Sequence, residues 1–552
     1  MILRRRILMK KKLALVLSIL LMLLVTACSS GTGAGKPAET TPSQEGAVPP
    51  PADGIVAYVG GTIFDSSLDP IKGAMSYGYS FTNCALLRMN PDSEYEGDMA
   101  TKWSISEDSL VYTYKLRENV KFSDGSDFTA DDVVFTYTTV KENQAHNENV
   151  DLTKLASVKA LNDYTVEFTL SEPYSPFLDA TACLGIVPSD SYDSKKFDQY
   201  PIGTGAWIVT QYDANQQIIV KANENYYEGA PAIKKVTFVS MNSEAAFSNA
   251  KSGQLDIVMI GPNYTSEKVA HMMTERFATM DIRMINLPVL KEQTMKNPDG
   301  KDIKVGNNVT SDINVRKALA IGIDRQTIIN HAFNGVGKPA VSFTANLQWA
   351  STDTYADNRK VEASALLQDA GWVDTDGDGI REKNGLKCEF DVYAPGSDND
   401  RFLLANAVAE DALKLGVKIN VKTASWDEVA NLQSTSGIVW GWGQYSPTVL
   451  NSLFNSQLFL KGAYDNVSGY ANPQVDADIQ KAFTSTTHDG AVAAWKAVQA
   501  TANQDYPYLY IVNIEHCYLV KDSLDLSLDT QIAHPHGHGS PIICNMKDWN
   551  YK

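Results

Sequence analysis

The chain has 552 residues, 44% of them hydrophobic, and carries a formal net charge of −17 at pH 7. So much apolar material exceeds what one ordinary core uses, and at least two large lobes are expected. The acidic balance, with no basic tract after the first dozen residues, argues against a nucleic-acid partner.

The N-terminus reads MILRRRILMKKKLALVLSILLMLLVTACSS. Arg4 to Arg6 and Lys10 to Lys12 precede an apolar run from Leu13 to Val25. That run has the length of a secretory h-region and is short for a membrane span. Met9 also serves as a start, since MKKK alone supplies the positive end. Val25-Thr26-Ala27-Cys28 is similar to the bacterial lipobox, in which the cysteine thiol takes a diacylglycerol through a thioether. Residues 1–27 are then a lipoprotein signal peptide and Cys28 the lipidated end; the alternative is a plain signal peptide with an incidental cysteine. Residues 28–54 are Ser/Thr/Gly/Pro-rich, cannot bury enough surface to offset ordering, and read as a disordered tether. No later stretch approaches ~18 uninterrupted apolar residues. The protein is expected outside the cytoplasm, held by lipid on the outer face of the cytoplasmic membrane, or in the periplasmic space where one exists.

Residues 55 to about 310 are rich in strand patterns. In LVYTYKL, Tyr112, Tyr114 and Leu116 alternate with polar positions. In DYTVEFTLS, Tyr164, Val166, Phe168 and Leu170 share a face. Between them DFTADDVVFTYTTV starts a helix, with Thr129 as cap and Asp132 as the return half of a capping box. Asp124-Gly125 suits a turn, and the glycines of GTG at Gly203 and Gly205 suit close backbone approach. NENYYEGAPAIKKVTFVSM is a turn followed by a strand.

Helices dominate further on. Asp312 precedes INVRKALAIGI; Asp324 caps RQTIINHAF and Asn334-Gly335 stops it. Arg316 and Arg325 read as structural residues joining these helices. KVEASALLQDAGW closes at Gly371. VKINVKTASW and SGIVWGWG look like strands. NPQVDADIQKAF has Asn472 as cap, Pro473 in the first turn, and Val475, Ile479 and Phe483 on one stripe. Cys84, Cys183, Cys388, Cys517 and Cys544 are odd in number, widely spaced and lack any CxxC pair, so buried free thiols are expected; one disulfide stays open, its pair undetermined. Mixed helices and strands in two long segments mean an α/β protein of more than one lobe.

Residues 99–137, MATKWSISEDSLVYTYKLRENVKFSDGSDFTADDVVFTY, resemble the signature region of the extracellular solute-binding proteins of family 5, the peptide- and nickel-type binding components of ABC importers. PIGTGAW, NENYYEGAP, SGQLDI, INVRKALAIGIDR, ALLQDAGWVDTDGDGIREKNG, WGWG and GYANPQVDADIQKAF follow in family order. The resemblance implies a two-lobed, type II periplasmic-binding-protein clamshell with an inserted third subdomain. Lobe one maps to residues 55–86, 199–290 and 509–552, the insert to 87–198, and lobe two to 291–508. It further implies a small solute, most readily a peptide, an ABC permease as partner, and a monomer. In the family the segment after WGWG lines the cleft; here that places Trp440, Trp442, Gln444 and Tyr445, with Tyr77, Tyr79 and Asn83 as counterparts from lobe one. Peptide-binding relatives commonly carry an aspartate just after this tryptophan, for the peptide amine. GWGQYSP has none, which puts that mode of recognition in doubt.

Three further features bear on function. His534, His536 and His538 in HPHGHGSP would converge on a nickel, copper or zinc ion if extended, but Pro535, Gly537 and Gly539 argue for a bent loop; otherwise no cofactor is expected. Asp374, Asp376 and Asp378 have the spacing of the first ligands of a calcium loop, yet Gly385 stands at its twelfth position, and the segment reads as a turn. No GxSxG, HExxH or P-loop is present, so an enzyme is not expected. Within the binding class, nickel or a metal chelate is the alternative cargo, and a ligand sensor for a membrane receptor is the alternative role.

Overall fold

The computed structural model describes residues 54–552 except 66, 75–79, 148–149, 345–346, 397 and 537–539. The signal sequence, Cys28 and the tether therefore lie outside the described residues, as do Tyr77, Tyr79 and His538.

Three sheets organise the chain. The first has seven strands, in the order Met272–Phe277, His516–Lys521, Ile257–Ile260, Ile55–Tyr58, Lys235–Val239, Gln217–Ala222 and Trp207–Asp213. Its strands are apolar on alternate sides. Ile55, Ala57, Ile257, Tyr518 and Val520 enter one buried cluster, whereas Tyr58, Val258, Ile260, Cys517 and Leu519 enter the other. Both faces are thus covered, as a sheet with parallel pairs at its centre requires. The second sheet has six strands, in the order Lys338–Pro339, Tyr508–Asn513, Ile282–Asn286, Gly437–Trp442, Glu389–Pro395 and Lys418–Ala424. The third, within residues 87–198, is an antiparallel four-stranded sheet, Ala100–Ile105, Val111–Leu116, Thr165–Leu170 and Leu155–Asn162. The architecture is α/β and two-lobed, with the four-stranded subdomain attached to the first lobe.

Local chemistry explains the elements. Thr129 caps Ala130–Glu142, and its backbone N–H donates to Asp132 at 2.8 Å. Asp312 and Asp324 cap Ile313–Gly322 and Arg325–Phe333 by accepting from Asn314 and Thr327, and Asn334 ends the second helix in the left-handed region. Asn472 caps Pro473–Phe483, with Val475 and Ile479 wholly buried. Arg316 and Arg325 are buried scaffold: Arg316 donates to the carbonyls of Thr310 and Asp505, and Arg325 to those of Ala320, Ala340 and Tyr510. Cys84, Cys183, Cys388 and Cys517 are free thiols.

The sheets place the crossings between lobes differently from the mapped boundaries at 290/291 and 508/509. Ile282–Asn286 is hydrogen-bonded on one side to Gly437–Trp442 and on the other to Tyr508–Asn513, so both flanking segments belong to the second lobe. The chain leaves the seven-stranded sheet at residues 278–281 and re-enters it at 514–515. IRMIN and YLYIVN are almost continuously buried, and such runs carry no mark of where one core ends and the next begins.

The GTG turn is a close contact between backbones. A Cβ at Gly203 would lie 2.0 Å from the Thr82 carbonyl oxygen. Gly203→Ala is expected to lower the unfolding free energy by about 1–3 kcal/mol in denaturant titrations. Gly261→Ala, where a Cβ meets nothing within 4 Å, should stay within about 0.5 kcal/mol of the parent.

Candidate functional site

A cavity of about 1050 Å³ lies between the lobes. One wall comes from residues 72–74 and from the four-stranded subdomain, chiefly Asp151, Tyr174, Pro176 and Asp179. The other comes from the second lobe: Arg401, Trp426, Trp440, Trp442, Gln444, Tyr445 and Tyr464 with Asp465. All four residues expected from the WGWG segment line it. Trp440 contributes least, being 3% exposed with its indole N–H given to Asn286 at 3.0 Å. Trp442 is half-buried, and its indole nitrogen and the Gln444 side-chain oxygen have no hydrogen-bond partner among the described residues. The Tyr445 hydroxyl donates to the Ala533 carbonyl at 2.8 Å, and its own carbonyl accepts from Trp349 at 2.9 Å.

Asn83 is elsewhere. It is 2% exposed, and its amide donates to the carbonyls of Ile186 and Ile202 at 2.9 and 3.0 Å, tying the end of the insert to the first lobe. A short polar side chain beside aromatic residues in the sequence reads equally well as a ligand contact or as such a tie; only the partners decide.

Trp426, Tyr464, Asp465, Arg401 and Asp179 are functional candidates that sequence patterns did not reveal. Trp426 and Tyr464 are 39% and 43% exposed, high for large rings, and both border the cavity. Tyr464 lies 5.7 Å from Trp440 and 6.5 Å from Trp426, centroid to centroid. The Arg401 guanidinium sits 5.2 Å above the Trp426 ring and 3.1 Å from Asp398. These residues come from position 179 and from segments scattered between 398 and 465, so no short motif joins them.

The lobes touch along one edge of the cavity. Ser446 donates to Asp179 at 2.7 Å, and Tyr95 donates to the same carboxylate. Ser175 donates to the carbonyls of Phe483 and Ala482, and Ser109 to that of Thr486. Tyr174 stacks on Phe483 at 5.7 Å. Burial pushes the Asp179 carboxyl up, against the lowering effect of its two hydroxyl donors. Along this edge the jaws are shut.

Opposite to it, the chain crossings form a buried polar knot. Thr279 donates to the Ile514 carbonyl, and Ile514 N–H to that of Asp281 at 3.0 Å. The C-terminal tail joins them, with His534 N–H donating to Ala278 and accepting at its carbonyl from Met280. Asp281, wholly buried, forms an ion pair with Arg283 and lies 2.9 Å from His536 Nδ1 and 3.6 Å from His516 Nε2. Burial alone would raise its carboxyl, but Arg283, His536 and His516 hold it well below the ordinary carboxylate range.

Of the three histidines, the two described, His534 and His536, face different groups. His534 stacks on Phe277 at 4.8 Å and meets His516 at 3.2 Å, nitrogen to nitrogen, and burial pushes its imidazole well down. His536 turns instead to Asp281 and borders the cavity. Pro535 between them bends the chain, so neighbours two apart face different groups. Among the described residues, the side chains that group as a metal site would are Asp374, Asp376, Asp378 and Glu382, on an exposed turn. That turn is internally bonded: Asp374 accepts from Gly377 and Gly379, and Lys387 pairs with Asp376 and Asp378.

A family model described as bacterial extracellular solute-binding proteins, family 5 Middle, matches residues 94–461. The chain belongs to this family. Protein XP55 of Streptomyces lividans is 29% identical over 531 residues, 94% of this chain and 92% of its own. The structure of the oligopeptide-binding protein AppA from Bacillus subtilis in complex with a nonapeptide superposes with a TM-score of 0.68 at 22% identity, over 91% of this chain and 99% of that one. NikZ from Campylobacter jejuni in complex with Ni(L-His) superposes with a TM-score of 0.74 at 23% identity, over 91% and 100%. As a family 5 solute-binding protein of an ABC importer, the molecule is a binding component and not an enzyme. No helix among its described residues is long and apolar enough to cross a membrane.

Asp281→Asn should leave Arg283 buried without its counter-charge and cost about 3–5 kcal/mol at pH 7. Because the folded carboxyl is depressed, its contribution is fully present above the unfolded value of about 3.9 and fades as the pH falls below it. The difference in unfolding free energy between parent and variant, read from denaturant titrations, should therefore be constant from about pH 5 to pH 7 and begin to shrink only below about pH 4, by about 1 kcal/mol at pH 3.

Proposed function

We propose that this family 5 protein captures a peptide in the interlobe cavity and presents it, with the lobes closed, to an ABC permease, while lipid on Cys28 holds it as a monomer at the outer face of the membrane. The observation that carries the reading is the cavity itself. At about 1050 Å³ it exceeds what a single small solute fills, and its walls mix aromatic faces with separated hydrogen-bonding groups from both lobes. A guest touching both walls stabilises the shut state in proportion to its differential contacts there, and closure is then what the permease recognises. The likeness to a nonapeptide complex supports the same direction. The presence of His536 at the cavity wall favours the second reading, a nickel or metal-chelate cargo, in line with the likeness to a Ni(L-His) complex.

Thermal-shift measurements against di- to hexapeptides and against Ni²⁺ separate the two. A peptide at a hundredfold excess over its dissociation constant should add about 2.7 kcal/mol to the folded state. Trp442→Ala should abolish that shift while keeping the unliganded melting temperature near the parent's. A response to Ni²⁺ alone, lost on replacing His534, His536 and His538 together, would reverse the assignment.

Anchoring is tested separately. Cys28→Ser is expected to move the protein from the membrane to the soluble extracytoplasmic fraction and to eliminate incorporation of labelled fatty acid. Unchanged membrane retention without the label would leave a plain signal peptide as the account of the N-terminus.

A further inference from the structure

We infer that the guest carries a positively charged nitrogen, an alkylammonium or guanidinium, and that the carboxylate of Asp465 holds it. This rests on the interlobe cavity being the ligand site and adds the charge of the ligand and the residue that reads it.

The inference comes from the charges on the cavity wall. Its lysine and its arginine already have partners that are not part of the lining. Lys72 lies 2.8 Å from Asp198, and Arg401 lies 3.1 Å from Asp398. His536 faces Asp281 at 2.9 Å, and His146 is exposed at the rim. None of the three carboxylates of the wall pairs with a lysine or arginine among the described residues; their donors are hydroxyls and, for Asp151, the Thr153 N–H at 2.8 Å. Asp151 accepts from Tyr174 at 3.3 Å and is exposed. Asp179 is taken up by Tyr95 and Ser446 in the closed seam. Asp465 is half-buried, with the Ser452 hydroxyl as its donor. The wall therefore carries net negative charge, and Asp465 is the carboxylate that is neither exposed nor committed to the seam.

The surroundings of Asp465 suit a cation. It lines the same cavity as Tyr464, whose ring packs against Trp440 and Trp426, and aromatic faces attract positive charge. Gly462 leaves the carboxylate its room: a Cβ there would meet an Asp465 oxygen at 2.2 Å. Burial raises the Asp465 carboxyl, so the ionised form is already under-solvated before any guest arrives. A neutral or anionic guest would strip the remaining water without supplying a counter-charge, which is costly. A cationic guest replaces that water with an ion pair. Selectivity then comes as much from rejecting uncharged ligands as from attracting charged ones.

The charge has two sources in a peptide, the terminal amine and a basic side chain. Calorimetric titration of the full chain in detergent would use three tetrapeptides of alanine and leucine: one with a free amino terminus, one N-acetylated, and one N-acetylated with a single lysine. The free-amine peptide, the lysine peptide or both should bind, and the acetylated neutral peptide should bind at least about tenfold more weakly. Asp465→Asn should lower affinity for the cationic peptides by about tenfold or more, leave the neutral one unchanged, and keep the unliganded melting temperature. Asp465→Glu should retain the discrimination. Equal binding of cationic peptides by parent and Asp465→Asn, or equal binding of neutral and cationic peptides by the parent, overturns the inference. If no peptide binds the parent, the peptide reading fails. 1,5-Diaminopentane and arginine then test the charge alone: a response lost in Asp465→Asn upholds the inference, and no response overturns it.

Discussion

The two lobes are joined through one small region, the buried knot where two connectors and the C-terminal tail cross between them. Asp281 is its centre. A wholly buried carboxylate survives only when cations and donors compensate for lost water, and Arg283, His536 and His516 do so from two strands and the tail. Because these partners belong to segments more than 200 residues apart in the chain, the knot pins both crossings and the tail together.

The knot also sets what the cavity can be. The tail that completes it brings the His536 ring to the cavity, and Tyr445 on the cavity wall donates to the tail at Ala533. The pivot and the binding wall are therefore one bonded unit. On the far side, closure is held by a few hydroxyl and backbone hydrogen bonds around Asp179, Ser175 and Ser109, each of modest net strength. A strong pivot and a weak rim are the combination in which a guest's contacts can decide between open and shut.

Much of this was legible in the chain. Caps at Thr129, Asp312, Asp324 and Asn472 act over three or four residues, so their chemistry is visible in a short window. The period-two strands of the four-stranded sheet are equally local. Gly203 reflects a non-local contact, yet its cause, a backbone allowing no Cβ, leaves a mark on residue type. The lobe boundaries were less legible because IRMIN and YLYIVN are buried on every side. The site divided in the same manner: Trp442, Gln444 and Tyr445 lie together in one motif, whereas Trp426 and Asp465 join them only through folding, and Asn83 is drawn away by two carbonyl partners.

By itself the sequence determined the family, the α/β two-lobed plan, the positions of most helices and strands, and one stretch of the cavity wall, since each depends on periodicity, capping or a contiguous motif. Tertiary structure alone decided where the chain changes lobe, that His534 and His536 turn to different partners, and that the wall's cations are neutralised from behind while Asp465 is not. Those outcomes depend on which distant groups come within a few ångströms of one another. Electrostatic pairing and burial act across space, and no spacing along the chain records them.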